Sequence, residues 1–252
     1  MMSQDNKNQL FPSVLLLQFR SDPIIRKNEY DSFVRYLGLN SNQLTSFDVL
    51  TKPLNLSLLD GVDALVIAGN GSESSNDDLY YKTDLMALLR SAYDRGLPTL
   101  AVCYGAQFSA LEFGGDVQRV KEMSEVGTYP IHLTEAAAED VIFKELDTTF
   151  NGQMGHNDSI TRLPDGAVRL AYSDRVPNQA FRFLGKPYYA VQFHPELDAD
   201  EMRARLHYYK DHYAHSPEEY QGMLDRIQSS TDASALLKLF IDRIVIPTIG
   251  QV

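Results

Sequence analysis

The chain is poor in cysteine and lacks long hydrophobic runs. Its 252 residues include one cysteine, Cys103, so no internal disulfide can form, which is typical of a reducing cytoplasm. Apolar runs of about eighteen or more residues are absent, so no membrane span is predicted. The first residues, Met1 to Gln9, are polar and do not contain the apolar core of a signal peptide. We therefore expect a cytoplasmic protein without a membrane anchor.

Positive charge is also scarce. The chain has 23 Lys and Arg against 34 Asp and Glu, a formal net charge of -11. Because nucleic-acid phosphates bind to basic surfaces, this balance argues against a DNA or RNA partner. The spacing of His207, His212 and His215 does not place all three on one helical face, so no metal site is predicted. There is no P-loop, and no cofactor is predicted.

Strands and helices alternate in the first half of the chain. Apolar runs predict strands, and amphipathic patterns predict helices. The predicted strands are 13–19, 47–50, 64–68 and 99–103, and the predicted helices are 28–37, 78–95 and the stretch from 104 to the glycine pair at 114–115. This alternation predicts a flavodoxin-like α/β domain of three layers, in which helices cover both faces of a mostly parallel central sheet.

The second half has a different pattern. Strands are predicted at 128–134, 167–172, 180–184 and 188–193 with few helices between them, which indicates an antiparallel or mixed extension of the sheet. From Asp198 the pattern is helical, and a last helix at 232–246 is predicted to end at Pro247. We divide the chain into a polar lead (1–12), a main domain (13–215) and a C-terminal helical extension (216–252). The sequence leaves open whether this extension covers the core or contacts another chain.

Cys103 stands at a predicted strand-to-helix turn. The apolar run before it predicts a buried strand, and small residues follow directly after the sulfur. Such a turn is strained, exposes its side chain at the carboxyl edge of the sheet, and directs the N-terminus of the helix toward it. Because that helix end is positive, it favours a thiolate. Cys103 is therefore the candidate nucleophile.

A cysteine nucleophile needs a base and a group that orients the base. The apolar run from Tyr188 brings His194 to the end of another strand, and Pro195 stops that strand. Glu196 lies two residues further on, where its carboxylate can reach the imidazole and fix its tautomer. The sequence therefore predicts a Cys103–His194–Glu196 triad, assembled only through the fold.

Acyl chemistry also requires donors for the developing oxyanion. The amide of Tyr104, at the start of a helix, is one candidate. The second candidate is the amide of Gly71, in a glycine-containing loop after the strand at 64–68, where the lack of a side chain allows close approach of the backbone to a substrate. An ordinary strand-to-helix turn is the alternative interpretation of that loop.

Three segments resemble those of class I glutamine amidotransferases. Cys103-Tyr104-Gly105-Ala106-Gln107 resembles the C-x-G-x-Q nucleophile segment of that family, and Phe193-His194-Pro195-Glu196 resembles its H-P-E motif. Gly155-His156-Asn157-Asp158-Ser159-Ile160 is similar to its S-H-G-D-x-V segment. The resemblance runs from about Val14 to about Tyr213. The first two motifs, in this order and separation, are highly specific together.

The resemblance implies a reaction and a role for each residue. Cys103 would attack the side-chain amide of glutamine and form a γ-glutamyl thioester, His194 would pass the thiol proton to the leaving ammonia, and Glu196 would orient His194. Gly71 and Tyr104 would supply the oxyanion amides. The implied substrate-binding residues are Gln107, Gly155, His156, Asn157 and Asp158. In full amidotransferases the ammonia travels to a synthetase site, so a partner subunit is implied.

Two departures from the family pattern keep three functions open. The loop at Asn70–Ser74 lacks the proline of the usual G-G-P-x-S, and Asn157 stands where glycine is common. The leading hypothesis is a glutaminase that supplies ammonia to a separate synthetase. The alternatives are a free-standing γ-glutamyl peptidase or hydrolase, and a non-catalytic binding or regulatory protein of the same fold. The oligomeric state is not predicted.

Overall fold

A nine-stranded mixed sheet runs through residues 11–250, which are the residues that the computed structural model describes. The strands are β1 (Val14–Gln18), β2 (Leu44–Asp48), β3 (Ala64–Ile67), β4 (Thr99–Val102), β5 (Asp116–Arg119), β6 (Glu125–Leu133), β7 (Thr149–His156), β8 (Asp158–Arg162), β9 (Ala167–Tyr172), β10 (Ala180–Phe183) and β11 (Tyr188–Val191). The helices are α1 (Pro23–Leu37), α2 (Lys82–Arg95), α3 (Tyr104–Glu112), α4 (Ala199–Tyr208), α5 (Lys210–Tyr213), α6 (Pro217–Asp225), α7 (Thr231–Phe240) and α8 (Ile246–Ile249).

The sheet has a parallel half and an antiparallel half. Its order is β2-β1-β3-β4-β11-β10-β9-β6-β7, and the first five strands pair in parallel. Their order corresponds to the 2-1-3-4-5 order of flavodoxin-like folds. The remaining pairings are antiparallel, and β5 and β8 form a separate two-stranded sheet. The predicted α/β class, with a parallel core and a mixed extension, is confirmed.

Alternation along the strands divides the core into two layers. In β1, Val14 and Leu16 point to the face that α1 and α7 cover, whereas Leu15 and Leu17 point to the face that α2 and α3 cover. This follows from the two-residue period of a strand, and the short continuous apolar run is typical of a parallel strand buried on both faces. None of the helices within residues 11–250 is long and apolar enough to cross a membrane.

Several predicted element boundaries were wrong. Helix α1 begins five residues before the predicted start at 28, because Asp22 caps it by accepting hydrogen bonds from the amides of Ile24 and Ile25, with Pro23 at the first helical position. Strand β2 lies at 44–48 instead of 47–50. Strands β5, β7 and β8 were not predicted, because they are short or mixed in polarity and their pairing partners, not their periodicity, make them strands.

The last helical segment does not end at Pro247. Helix α7 is followed by one π-helical stretch, Ile241–Val245, and the chain then continues as α8 through the proline. Proline cannot donate a backbone hydrogen bond and its ring crowds the preceding turn, so a standard α-helix would be interrupted here. The wider π turn just before Pro247 changes the hydrogen-bond register at that point.

We expect Phe240→Ala to destabilise the whole domain, although residue 240 belongs to the predicted C-terminal extension. The ring of Phe240 is fully buried in the same core cluster as Phe33 of α1. Removing a buried phenylalanine costs about 3–5 kcal/mol, which urea unfolding would detect as a lower midpoint. Ala235→Gln, at an exposed position of the same helix, is the matched control and should leave the midpoint nearly unchanged. Equal midpoints for the two variants would contradict the packing of Phe240 against the core.

Candidate active site

The turn between β4 and α3 places Cys103 in an unusual backbone conformation. Its φ of 49° and ψ of -100° make it the one non-glycine residue with positive φ in the described part of the chain. A side chain in that region is strained, and such strain concentrates at functional sites. Gly105 permits the turn, because a Cβ there would lie 2.7 Å from the backbone oxygen of Ile67 on the neighbouring strand. The sharp elbow predicted at Cys103 is confirmed, but the predicted exposure of its side chain was wrong, because Cys103 is only 3% exposed.

Strand β11 carries His194 to the same sheet edge. It pairs in parallel with β4, and the Cys103 amide donates to the carbonyl of Val191 at 2.7 Å. The imidazole of His194 is close enough to the Cys103 side chain for that side chain to raise its pKa. On its other side, Nδ1 lies 2.8 Å from Oε1 of Glu196. The structure thus brings the three predicted side chains together at one edge of the sheet.

The charges at these residues reinforce one another. Burial by itself lowers the pKa of His194, but the neighbouring Glu196 carboxylate and Cys103 side chain outweigh burial and raise it to about 10. Burial favours the neutral form of Glu196, yet the neighbouring His194 and then Arg205 hold its pKa below the usual value. The site is therefore arranged to hold an imidazolium between a carboxylate and a sulfur.

Gly69 lets the imidazole reach the sheet edge. A Cβ at Gly69 would lie 2.7 Å from Cε1 of His194 and 3.2 Å from the guanidinium of Arg20. Contacts as short as the first are essentially never adopted by real Cβ atoms, so a side chain here would displace the imidazole. The glycine-containing loop that was predicted to face a ligand thus also packs against the imidazole of His194.

A small cavity opens beside the sulfur. Its volume is about 30 Å³, which is close to the share of one liquid water molecule. Its lining includes Cys103, both predicted oxyanion residues and every predicted substrate-binding residue, which are Gly71, Tyr104, Gln107, Gly155, His156, Asn157 and Asp158. The fold therefore assembles these distant segments around one space. Their roles in binding stay predictions.

The side chains of the 156–158 segment are tied to neighbouring strands. The imidazole of His156 is buried 3.3 Å from Glu125, and the side-chain oxygen of Asn157 accepts a hydrogen bond from Ser124 at 2.8 Å. The carboxylate of Asp158 pairs with Arg119 at 2.7 Å. The backbone carbonyl of Asp158 accepts a hydrogen bond from the side-chain amide of Gln107 at 2.8 Å. These ties fix the segment's backbone beside Cys103.

Sequence reasoning missed two residues at the site. The side-chain amide of the buried Gln192 donates to the Cys103 sulfur at 3.7 Å, and the hydroxyl of Tyr213 donates to the carbonyl of Gly155 at 2.9 Å. Gln192 could have been found from the sequence. It lies two residues before His194, and residues two apart in an extended segment point to the same face. Tyr213 could not have been found, because only the packing of α5 over the cavity brings it there.

We expect Gly71→Ala to destabilise the protein by about 1–3 kcal/mol, the usual cost of overpacking. The ring of Tyr209 packs directly on Gly71, and an added Cβ would overlap the ring atoms. Urea unfolding should show that most of this loss disappears when Tyr209→Ala is the background, because the clashing ring is then gone. Gly222→Ala is the control, since a Cβ there meets nothing within 4 Å. Strict additivity of the two substitutions would contradict the clash.

The fold and the arrangement at Cys103 agree with a family model. Residues 30–210 match the model described as glutamine amidotransferase class-I. The match spans well over half of the chain, so the chain belongs to the class I glutamine amidotransferase family. The family resemblance predicted from the sequence is confirmed.

Curated relatives are similar over part of their length. The chain is 36% identical over 149 residues to "GMP synthase [glutamine-hydrolyzing]" of Porphyromonas gingivalis, covering 59% of this chain and 28% of the relative. It is 30% identical over 203 residues to the protein of the same name from Prochlorococcus marinus, covering 78% of this chain and 34% of the relative. The chain thus spans roughly a third or less of the length of these relatives.

Solved structures share the fold over nearly the full chain. A glutamine amidotransferase from Thermotoga maritima superposes with a TM-score of 0.74 at 20% identity, covering 94% of this chain and 99% of that one. A protein from Thermoplasma acidophilum, provisionally described as one subunit of a GMP synthase, gives a TM-score of 0.70 at 23% identity, covering 96% and 98%. At these identities the likeness establishes the fold.

Proposed function

We propose that the chain hydrolyses the side-chain amide of glutamine through a thioester on Cys103. The observation that supports this most strongly is the placement of His194 beside the strained Cys103 turn, with 2.8 Å between its imidazole and the carboxylate of Glu196. Family membership supplies the substrate class. A nucleophile, a base and an orienting carboxylate in this order are what acyl transfer to sulfur requires.

In the first step the sulfur of Cys103 attacks the amide carbon of glutamine. His194 holds the proton of the thiol as an imidazolium, which Glu196 stabilises. Negative charge develops on the amide oxygen, and the backbone amides of Tyr104 and Gly71 donate to it. The Tyr104 amide is suited to this role, because it opens helix α3 and the first amides of a helix have no acceptor within it.

In the second step the carbon–nitrogen bond breaks. The imidazolium of His194 gives its proton to the departing nitrogen, ammonia leaves the tetrahedral adduct, and the carbonyl re-forms as the γ-glutamyl thioester. A water molecule then gives a proton back to His194 and attacks the thioester carbon. The carbon–sulfur bond breaks, glutamate leaves, and the thiol is restored with its proton.

We also propose that the ammonia passes to a separate synthetase. Two observations support this part: relatives that match the chain are named GMP synthase, and the chain spans only about a quarter to a third of their length. The Thermoplasma protein of similar fold is described as one part of such a synthase. The natural recipient is an enzyme that consumes ammonia at a site outside these residues.

The proposal is tested by measuring glutamate release from glutamine and from γ-glutamyl peptides, together with labelling by a glutamine-like diazoketone. Release from glutamine and a label on Cys103 support the proposal. Faster release from peptides than from glutamine supports a free-standing γ-glutamyl peptidase instead. Absence of both release and label would overturn catalysis at Cys103 and favour a binding protein of the same fold.

Glu196→Gln should lower glutamine hydrolysis, with a loss about ten- to a hundredfold less severe than that of His194→Asn. Glutamine keeps the shape of the side chain and can still meet the imidazole, but it removes the negative charge that raises the pKa of His194. The rate constants of the two variants, measured at the same pH, give the comparison. A Glu196→Gln enzyme with the wild-type rate would contradict the orienting role.

A further inference from the structure

Four charged side chains are buried close together, and one of them is Glu196 of the proposed triad. Arg20 follows β1, Glu29 belongs to α1, Glu196 follows β11, and Arg205 belongs to α4. Arg205 is the most accessible of them and is still only 8% exposed. Charges buried in this way interact strongly, because little water is present to screen them. Removing one partner from such a set leaves an uncompensated charge that acts on the rest.

Glu29 is bound mainly by groups other than Arg205. Its Oε1 lies 2.8 Å from Nε of Arg20, and its Oε2 accepts a hydrogen bond from Gln18 at 3.0 Å. The nearest approach of Arg205 to Glu29 is 3.7 Å, which is longer than a hydrogen bond. Arg205 is therefore only partly neutralised by Glu29, and part of its positive charge can act elsewhere.

Glu196 is where that charge can act, because Glu196 and Arg205 each have a buried atom without a partner among the described residues. Oε1 of Glu196 is occupied by His194, while Oε2 is buried without a hydrogen-bond partner among the described residues, and so is Nη1 of Arg205. After the effects of burial and of His194, Arg205 is the next cause that holds the pKa of Glu196 low. Burial and then Arg20 lower the pKa of Arg205 itself, as expected for a guanidinium that lacks a full counter-charge.

Other titratable groups also interact with this cluster. His194 acts on Glu196, Tyr209 acts on Arg205, and Tyr213 interacts with both Arg205 and Cys103. His194, Arg20 and Arg205 also border a void of about 10 Å³, which is room for at most one water molecule. Within this set Glu29 and Glu196 are the two carboxylates, and they share the field of the two arginines.

We propose that Arg205 is a positioning residue, which keeps the Glu196 carboxylate ionised beside His194, and that Glu29 limits how much of the charge of Arg205 acts on Glu196. This inference rests on the proposed function, because it concerns the same triad. It adds a residue from α4, beyond the H-P-E segment, that acts on the sulfur only through Glu196 and His194. Loss of a positive charge here should raise the proton affinity of the whole coupled set.

The test is the pH dependence of Cys103 alkylation by iodoacetamide, which needs no substrate and is unambiguous because the chain has one cysteine. We expect Arg205→Met to move the midpoint of reactivity to higher pH by about one unit. Arg205→Lys keeps the charge and should stay near the wild-type midpoint. Glu29→Gln releases the arginines from their other carboxylate and should move the midpoint to lower pH.

The control is Arg203→Met, on the same helix, whose guanidinium is 46% exposed and pairs with the exposed Asp200. It should not move the midpoint. A residue that only supports the fold would lower the melting temperature without opposite shifts in Arg205→Met and Glu29→Gln. An unmoved midpoint in a folded Arg205→Met protein overturns the inference, as does an equal shift in Arg205→Lys. If Arg205→Met does not fold, the Glu29→Gln midpoint decides: a downward shift supports the inference, and none overturns it.

Failure of this inference can be told apart from failure of the proposed function. Alkylation reports the charge state around the sulfur whether or not glutamine is hydrolysed. A wild-type protein that neither releases glutamate nor takes the diazoketone label would refute the proposed function. Unchanged alkylation midpoints in a protein that does hydrolyse glutamine would refute only the role of Arg205.

Discussion

Cys103→Ser should reduce glutamine hydrolysis by about 10⁴-fold or more while leaving the fold intact. Serine replaces a sulfur by an oxygen on a side chain that is 3% exposed, so the packing around the turn changes little. The hydroxyl, however, keeps its proton near neutral pH and is a much weaker nucleophile than a thiol beside an imidazole. The rate should fall because the first bond to the amide carbon no longer forms.

This result is checked by glutamate release under saturating glutamine and by mass spectrometry after diazoketone treatment. The variant should take no label, because it contains no thiol. Its urea midpoint serves as the control and should match that of the wild type closely. A wild-type rate in Cys103→Ser would overturn the proposed mechanism, whatever the fold.

His194→Asn should lower the rate by about 10²–10⁴-fold, the usual contribution of a positioned acid or base. Asparagine can occupy part of the imidazole's place but cannot accept the thiol proton or return it to ammonia. The loss of Cys103 alkylation should be larger at pH 6 than at pH 9. The reason is that a wild-type imidazole with a pKa of about 10 is positively charged at both values, whereas an unassisted thiol, with a pKa of about 8.5, ionises by itself only at the higher pH.

The measurement pairs the hydrolysis rate with alkylation of Cys103 across this pH range. His132→Asn is the control, since His132 lies on β6 with its ring beside Thr149 on the neighbouring strand, away from the cavity. It should change neither quantity. Equal losses of alkylation at the two pH values for His194→Asn would refute the charge pairing between imidazole and sulfur.

The first half of the chain, where strands and helices alternate, was predictable because its strands are short apolar runs that are buried on both faces of the sheet. Strands β1, β3 and β4 carry this pattern, and the residues that helix α2 buries between β3 and β4 are all apolar. Strands β5 and β8 were missed, because neither is apolar enough to be recognised alone and each is stabilised by the other. The prediction that the last helix ends at Pro247 was wrong, because a π-helical turn precedes the proline and the helix continues through it.

The sequence predicted the reactive side chains of the candidate site, but it did not predict the side chains that pack around them. Cys103, His194 and Glu196 stand in short segments whose residue types are tied to their chemistry, so the order of types along the chain is informative. Arg205 and Tyr209 have no such pattern, since an arginine and a tyrosine on a polar helix are most often solvent-exposed. The packing of Arg205 near Glu29 and of Tyr209 on Gly71 depends on how α4 and the residue that follows it are placed.

By itself the sequence determined the family, the elbow at Cys103 and the residues that could form a triad with it, because these depend on residue type and local backbone preference. The tertiary structure alone decided that Tyr213 lines the cavity beside the sulfur, that Tyr209 packs on Gly71, and that Arg205 is buried with Arg20 and Glu29. The physical reason is that each of these contacts joins segments far apart in the chain. Burial and electrostatic interaction act through space, and a local sequence pattern carries no record of which distant groups will meet.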